Sequence, residues 1–191
     1  MSCHGRMPMA QDWTAERARA LPDDGMRHEV LDGELAMTPA PSWGHQYVAF
    51  AFHRLLDDHA RQHRLGRAIA APADVEFSPR RLLEPDVFVV PLVDDRAPFS
   101  FEDVRHLRLA LEVLSPSTAR RDRITKRRIY LSEPVNEYWI VDPESRSVER
   151  WRRGDDRPEI ADGVLRWQPL PGVPPLELDL PDLFARALDR P

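Results

Sequence analysis

Residues 107–131 read LRLALEVLSPSTARRDRITKRRIYL, and this stretch decides the fold. Leu107 to Leu114 is a nearly continuous apolar run carrying one acid, Glu112. A run without polar alternation is expected of a central strand covered on both faces. Ser115-Pro116 ends it, and the spacing predicts a helix over about Ala119 to Leu131, closed by Pro134. Upstream, PDVFVV (residues 85–90) has the same apolar character, with Asp86 at its head. Downstream, NEYWIV (residues 136–141) reads as another strand. A strand, helix, strand order in mid-chain argues for an α/β fold.

Working outward, DWTAERARA (residues 12–20) reads as a short helix stopped by Pro22 and Gly25. The Asp32-Gly33 pair between RHEVL and ELAM is a two-residue hairpin signal. A long helix is expected from about Ser42, its N-cap, to His63, with Val48, Ala51, Phe52, Leu55 and Leu56 forming the buried stripe. Residues 67–70 and 73–77 read as strand, and 78–81 as a turn. Strands near Val148–Trp151 and Val164–Trp167, a turn at Asp162-Gly163 and a helix over Leu183–Leu188 complete the chain. The expected organisation is a disordered leader, residues 1–10, and a single domain, residues 11–191.

Composition excludes several classes. The chain has 191 residues, 42% hydrophobic and 31% charged, so wholesale disorder and collagen-like structure do not fit. No apolar stretch approaches the ~20 residues of a membrane span, and the leader lacks a signal-peptide core, so the expectation is a cytoplasmic protein without membrane contact. The single cysteine, Cys3, rules out a disulfide framework or a Cys-based zinc site. There is no Gly-x-Ser-x-Gly elbow and no Gly-rich phosphate loop. Net charge is −5, yet residues 118–128 hold six basic residues and one acid, Asp122. Such a run is either a solvated helix face or a phosphate-attracting patch. Of 27 basic residues 26 are Arg, so the one Lys, Lys126, marks a place where a compact ammonium is needed or a chance survivor.

Asp86 and Glu112 are lone acids in apolar strands. Buried together they repel, and a divalent cation between them resolves the conflict; otherwise each marks a strand end and meets solvent or an Arg. Asp122, Lys126 and Tyr130 fall at i, i+4, i+8 and share a helix face, which brings Lys126 toward the acids or leaves it in a surface pair with Asp122. His45 lies along the buried stripe near the start of the long helix, to orient a water, touch a metal-bound phosphate or cap the helix. Glu29, on the first hairpin, is a third candidate acid, weakened by being read as an edge-strand residue.

These residues carry a resemblance. EVLSPSTARRDRITKRRIYL followed by VNEYWIVDP, with HEVLDGEL, PAPSWGHQ and EPDVFVV upstream, resembles the Uma-two family of restriction endonucleases within the PD-(D/E)XK nuclease superfamily. The resemblance covers roughly Asp12 to Arg153. It implies a restriction-endonuclease-like core, a central mixed β-sheet flanked by helices, here with additional N- and C-terminal β-hairpins. The superfamily's motif acids fall on Asp86 and Glu112. Its third motif position is Leu114 rather than Lys, and Lys126 is the replacement, in the family pattern D-x-x-x-K-x-x-x-Y of Asp122, Lys126 and Tyr130. The pattern also places Glu29 and His45 at the site. The implied activity is Mg²⁺- or Mn²⁺-dependent hydrolysis of DNA, the metal on Asp86, Glu112 and the main chain of Val113, and Lys126 assisting the attacking water. Arg120, Arg121, Arg123 and Arg127 would contact phosphates. A catalytically inactive nuclease-fold binding module is the alternative. A homodimer is expected, with Trp139, Trp151 and Trp167 in the core or at its interface.

Overall fold

The computed structural model describes residues 12–189; the leader and Cys3 lie outside the described residues. The elements in chain order are α1 (Ala15–Arg19), β1 (Met26–Leu31), β2 (Glu34–Pro39), α2 (Trp43–Gln62), β3 (Gly66–Ala70), β4 (Val75–Ser78), β5 (Arg81–Leu83), β6 (Val87–Pro91), a 3₁₀ turn (Phe101–Asp103) and β7 (Leu107–Val113). A helical rod follows, made of α3 (Ala119–Arg121), a π-helical turn (Asp122–Lys126) and α4 (Arg127–Ser132). Then come β8 (Val135–Asp142), β9 (Ser147–Arg152), β10 (Glu159–Ala161), β11 (Val164–Trp167), β12 (Leu176–Asp179) and α5 (Leu180–Leu188).

The central sheet has six strands in the order β10-β9-β8-β7-β6-β3. It is mixed, as expected: β7 and β8 are parallel, and the pairs flanking them are antiparallel. The parallel pair needs a crossover, which the helical rod supplies. The apolar runs of β6 and β7 are explained by burial on both faces. Val87, Val89, Leu109 and Leu111 meet the stripe of α2, with α5 behind it. Phe88, Ala110, Tyr138 and Ile140 meet Ile129 and Tyr130 of the rod. Gly66 lets β3 join this sheet, since a Cβ there would collide with the Val90 carbonyl.

The N-terminal hairpin forms where expected. Asp32 and Gly33 both hold positive φ, as a tight two-residue turn requires. However, β1 also pairs with β5, giving a four-stranded sheet β2-β1-β5-β4. Residues 78–81, read as a turn, end with Arg81 opening β5. Short strands bounded by Arg and Pro carry little periodic signal, and register with β1 decides them. Leu31, Leu83 and Val75 of this sheet pack on the rod side of the central sheet, while Ala15 and Ala18 of α1 cover Val30 and Leu82 on its outer face. At the C-terminal end, the strands flanking Asp162-Gly163 do not pair with each other: β10 adds to β9, and β11 pairs with β12. Trp139, Trp151 and Trp167 are interior residues, so they belong to the core and supply no dimer surface. No helix among the described residues is long and apolar enough to cross a membrane.

Candidate active site

The antiparallel register Val87↔Leu111 brings Asp86, just ahead of β6, beside Glu112, one residue before β7 ends. There the Asp86 side chain replaces a rung of the ladder: the Val113 N–H donates to its Oδ2 at 2.8 Å. An extended residue turns its N–H and C=O to the same edge of the strand, so the Val113 carbonyl faces this edge too. His45 reaches the same carboxylate from α2, Nε2 standing 3.1 Å from Oδ2. Ser42, the N-cap, accepts the His45 N–H at 3.3 Å and fixes the first turn. On Asp86 Oδ1 sits Arg27 Nη1 at 2.8 Å, whose Nε pairs with Glu84 at 2.8 Å.

Glu112 is served from the helical rod. Lys126 Nζ and Tyr130 Oη both donate to its Oε1 at 2.9 Å. Lys126 also lies 2.8 Å from Glu29 Oε1 and 3.9 Å from Asp122 Oδ1. Four residues of α-helix over-rotate by about 40°; the wider π turn between Asp122 and Lys126 offsets that drift. Asp122, Lys126 and Tyr130 therefore stay on one face, as their spacing predicted. Glu29 accepts the Glu84 N–H at 2.9 Å. Its strand, β1, lies inside its sheet between β2 and β5, which corrects the reading of Glu29 as an edge-strand acid. Glu29, Asp86, Glu112, Asp122 and Lys126 are all buried.

The electrostatics follow from counting charges in a dry place. Five carboxyls (Glu29, Glu84, Asp86, Glu112, Asp122) share two permanent cations, Arg27 and Lys126, with His45 beside them. Burial pushes Asp86 up, but the His45 hydrogen bond and charge, then Arg27 and the Val113 N–H, outweigh it and hold the carboxyl down at about 2. Burial pushes Glu112 well up, and Lys126 only partly opposes this because Asp86, Asp122 and Glu29 repel. Burial likewise raises Asp122, and raises Glu84 to about 7. For Lys126, burial is outweighed by Glu112, Glu29 and Asp122, so its pKa is raised and it stays an ammonium.

Arg27, Glu29, His45, Asp86, Glu112, Asp122 and Lys126 line a cavity of about 220 Å³, walled by Pro39–Ser42 on one side and Ser115–Thr118 on the other. Two larger grooves, about 890 and 480 Å³, open beyond Glu84 and lack the lysine. Among the described residues no group of three or more His, Cys, Asp or Glu side chains forms a ready-made metal cage. A hard cation would rest on two carboxylates and a carbonyl. The surplus of acid fits one, and so does Asp122 Oδ1, buried without a hydrogen-bond partner.

All five residues expected at the site meet there. The basic run divides. Arg121 lines the cavity and donates to Thr38 Oγ1, and Arg120 is exposed. Arg123 is held by Glu149 at 2.6 Å and Asp142 at 3.0 Å, and Arg127 stacks 4.3 Å over Trp151. The run is thus neither one solvated face nor one patch, because its members point to different sides of the rod. Sequence reasoning missed Arg27 and Glu84. Each stands two residues before a named acid, Arg27-x-Glu29 and Glu84-x-Asp86, and period-2 alternation puts them on the same side.

No curated protein matches the chain. A solved structure described as a putative nuclease belonging to DUF820, from Anabaena variabilis ATCC 29413, shares the fold with a TM-score of 0.72 at 20% identity, over 92% of this chain and 99% of that one. A family described as "Uma2: Putative restriction endonuclease" matches residues 15–187, a span holding every residue of the site above. The chain belongs to the Uma2 family.

Proposed function

We propose that the chain is a Mg²⁺- or Mn²⁺-dependent endonuclease that hydrolyses phosphodiester bonds in DNA. The observation that carries the reading is the ammonium of Lys126 held between Glu29 and Glu112, beside an Asp86 oriented by the Val113 N–H. Asp86, Glu112 and the Val113 carbonyl would hold the metal. The chemistry such an ion supplies when bound is polarisation of a phosphoryl oxygen and a lowered pKa of water. Lys126 orients the attacking water and stabilises charge growing on the phosphorus centre. Its reach from the helical rod replaces the lysine absent at Leu114. Glu29 positions Lys126, and His45 steadies Asp86 from the opposite wall. Arg121, which lines the cavity, and the exposed Arg120 would contact phosphate.

The test is nicking of supercoiled plasmid by purified protein with Mg²⁺ or Mn²⁺ and with EDTA, beside Glu112→Gln and Lys126→Ala. Metal-dependent nicking that both substitutions abolish is expected. Nicking that survives both belongs to a contaminant and removes the proposal. One observation favours a second reading, a non-catalytic module of nuclease fold: Arg27 already lies 2.8 Å from Asp86, compensating its charge. That reading requires no plasmid cleavage and no thermal shift with Mn²⁺.

A further inference from the structure

Beside the cavity the long helix shows an aromatic stripe that its burial does not use. Trp43, Tyr47 and Phe50 recur at i, i+4, i+7 on the outer face of α2, and are 78%, 47% and 64% exposed. The opposite face, with Val48, Phe52 and Leu56, is fully buried, so the fold does not require the outer rings. Three exposed aromatics in a row are unusual on a folded surface. Their position ties them to the site. Pro41 borders both the cavity and the shallow groove formed by these rings.

Resting on the nuclease reading, we infer that this stripe is a stacking platform for unpaired bases of the substrate, so that the chain acts on single-stranded DNA or on single-stranded segments of a duplex. The cavity, about 220 Å³, is below the ~300–1,000 Å³ of a typical small-molecule pocket. It has room for a phosphodiester linkage, and the bases on either side must be held outside it. Trp43 and Tyr47 have ring centroids 5.0 Å apart, short of the roughly 7 Å that a base sandwiched at two 3.4 Å spacings needs. Bases therefore lie on the outer faces of the rings. The stripe runs for about 10 Å along the helix, at 1.5 Å per residue, enough for two or three stacked bases. In duplex DNA the base faces are covered by their neighbours, so only an unpaired segment can use such rings. Arg121, at the cavity, supplies positive charge that a strand leaving the site meets.

The experiment is fluorescence anisotropy of a labelled single strand and of the matching duplex in EDTA, with the intact protein and with Trp43→Ala, Tyr47→Ala and Phe50→Ala, singly and combined. Sedimentation of each protein and metal-dependent cleavage of the same strands are measured in parallel. The intact protein is expected to bind the single strand at least tenfold more tightly than the duplex. Each substitution should weaken single-strand binding by about five- to tenfold, a loss within the range of base–aromatic stacking, with duplex binding unchanged. Equal affinity of the combined variant for the single strand overturns the inference, as does a preference of the intact protein for duplex. A stripe that only holds two copies of the chain together, seen as dimer loss with DNA affinity unchanged, overturns it as well. These outcomes are separate from failure of the nuclease reading, which appears as absent metal-dependent cleavage whatever the binding.

Discussion

Lys126 Nζ and Glu29 Oε1 lie 2.8 Å apart, and this ion pair ties the four-stranded sheet to the helical rod that covers the six-stranded one. The chain's single lysine therefore has a structural role beside the chemical one proposed for it.

Replacing it makes that role measurable. Lys126→Met leaves Glu29, Glu112 and Asp122 buried without their shared cation. Breaking one partner out of a buried ionic cluster costs ~3–5 kcal/mol, or roughly 6–20 °C in Tm for a chain of this size. Because Glu112 and Asp122 are already raised by burial, they take up protons as pH falls, and the deficit shrinks. Lys126→Arg should not restore the intact Tm, since a wide guanidinium does not fit a site made for a compact ammonium. Thermal melts from pH 8 to pH 5 decide it, and a variant as stable as the intact chain at every pH counts against the cluster.

Glu112→Gln should do the reverse in metal-free protein. The amide keeps an acceptor for Tyr130, while Lys126 retains Glu29 and Asp122. Removing one of five crowded acids is expected to leave Tm unchanged or raise it by about 2–4 °C, near 1 kcal/mol. Cleavage is expected to fall by a factor on the order of 10²–10³. A large drop in Tm would mean that the Glu112 charge holds the fold together.

Mn²⁺ or Mg²⁺ should stabilise the intact protein by mass action, by ~2.7 kcal/mol at a hundredfold excess over Kd. Asp86→Asn should lose that shift, because an amide is a poor ligand for a hard cation. Differential scanning fluorimetry across metal concentration reads this directly, and an equal shift in the Asn variant would place the ion elsewhere.

Acid stability should depend on the hairpin turn. Burial nudges the Asp32 carboxyl up, but hydrogen bonds from Arg81 and Arg128 and their charges hold it below its usual 3.8. A depressed carboxyl stabilises the fold above the unfolded pKa and loses that contribution as pH falls through the folded one. Asp32→Asn keeps a residue tolerant of the turn's positive φ of 54° and removes the charge. It should cost about 0.5–1 kcal/mol at pH 7, and the difference should shrink as pH falls below 3.8. Urea midpoints across that range test the sign.

Much of this was legible in the residues, for reasons that can be named. β6 and β7 announced themselves because they are buried on both faces, and the acids at their ends stood out against apolar neighbours. The Asp122, Lys126, Tyr130 face was readable because helical spacing survives the π turn. Less was legible where tertiary pairing decides. β5 is three residues long and exists because β1 offers it an edge, and that pairing makes β1 an interior strand and buries Glu29. Arg27 and Glu84 carry no signal of their own until the two sheets face each other. In the basic run, only packing shows that Arg123 belongs to Glu149 and Arg127 to Trp151.

The π-helical turn at Asp122–Lys126 has a consequence for how this chain tolerates shortening. Deleting one residue within it would restore ordinary helical winding and keep the rod's length nearly intact. Five residues of π winding turn through about the same angle as four of α winding, so the side chains downstream, Tyr130 among them, would stay in phase with Glu112. The product would be a folded chain with near-native helix content and its buried glutamate still served by Tyr130, so this turn should tolerate a single-residue deletion that would put a regular helix out of phase by about 100°.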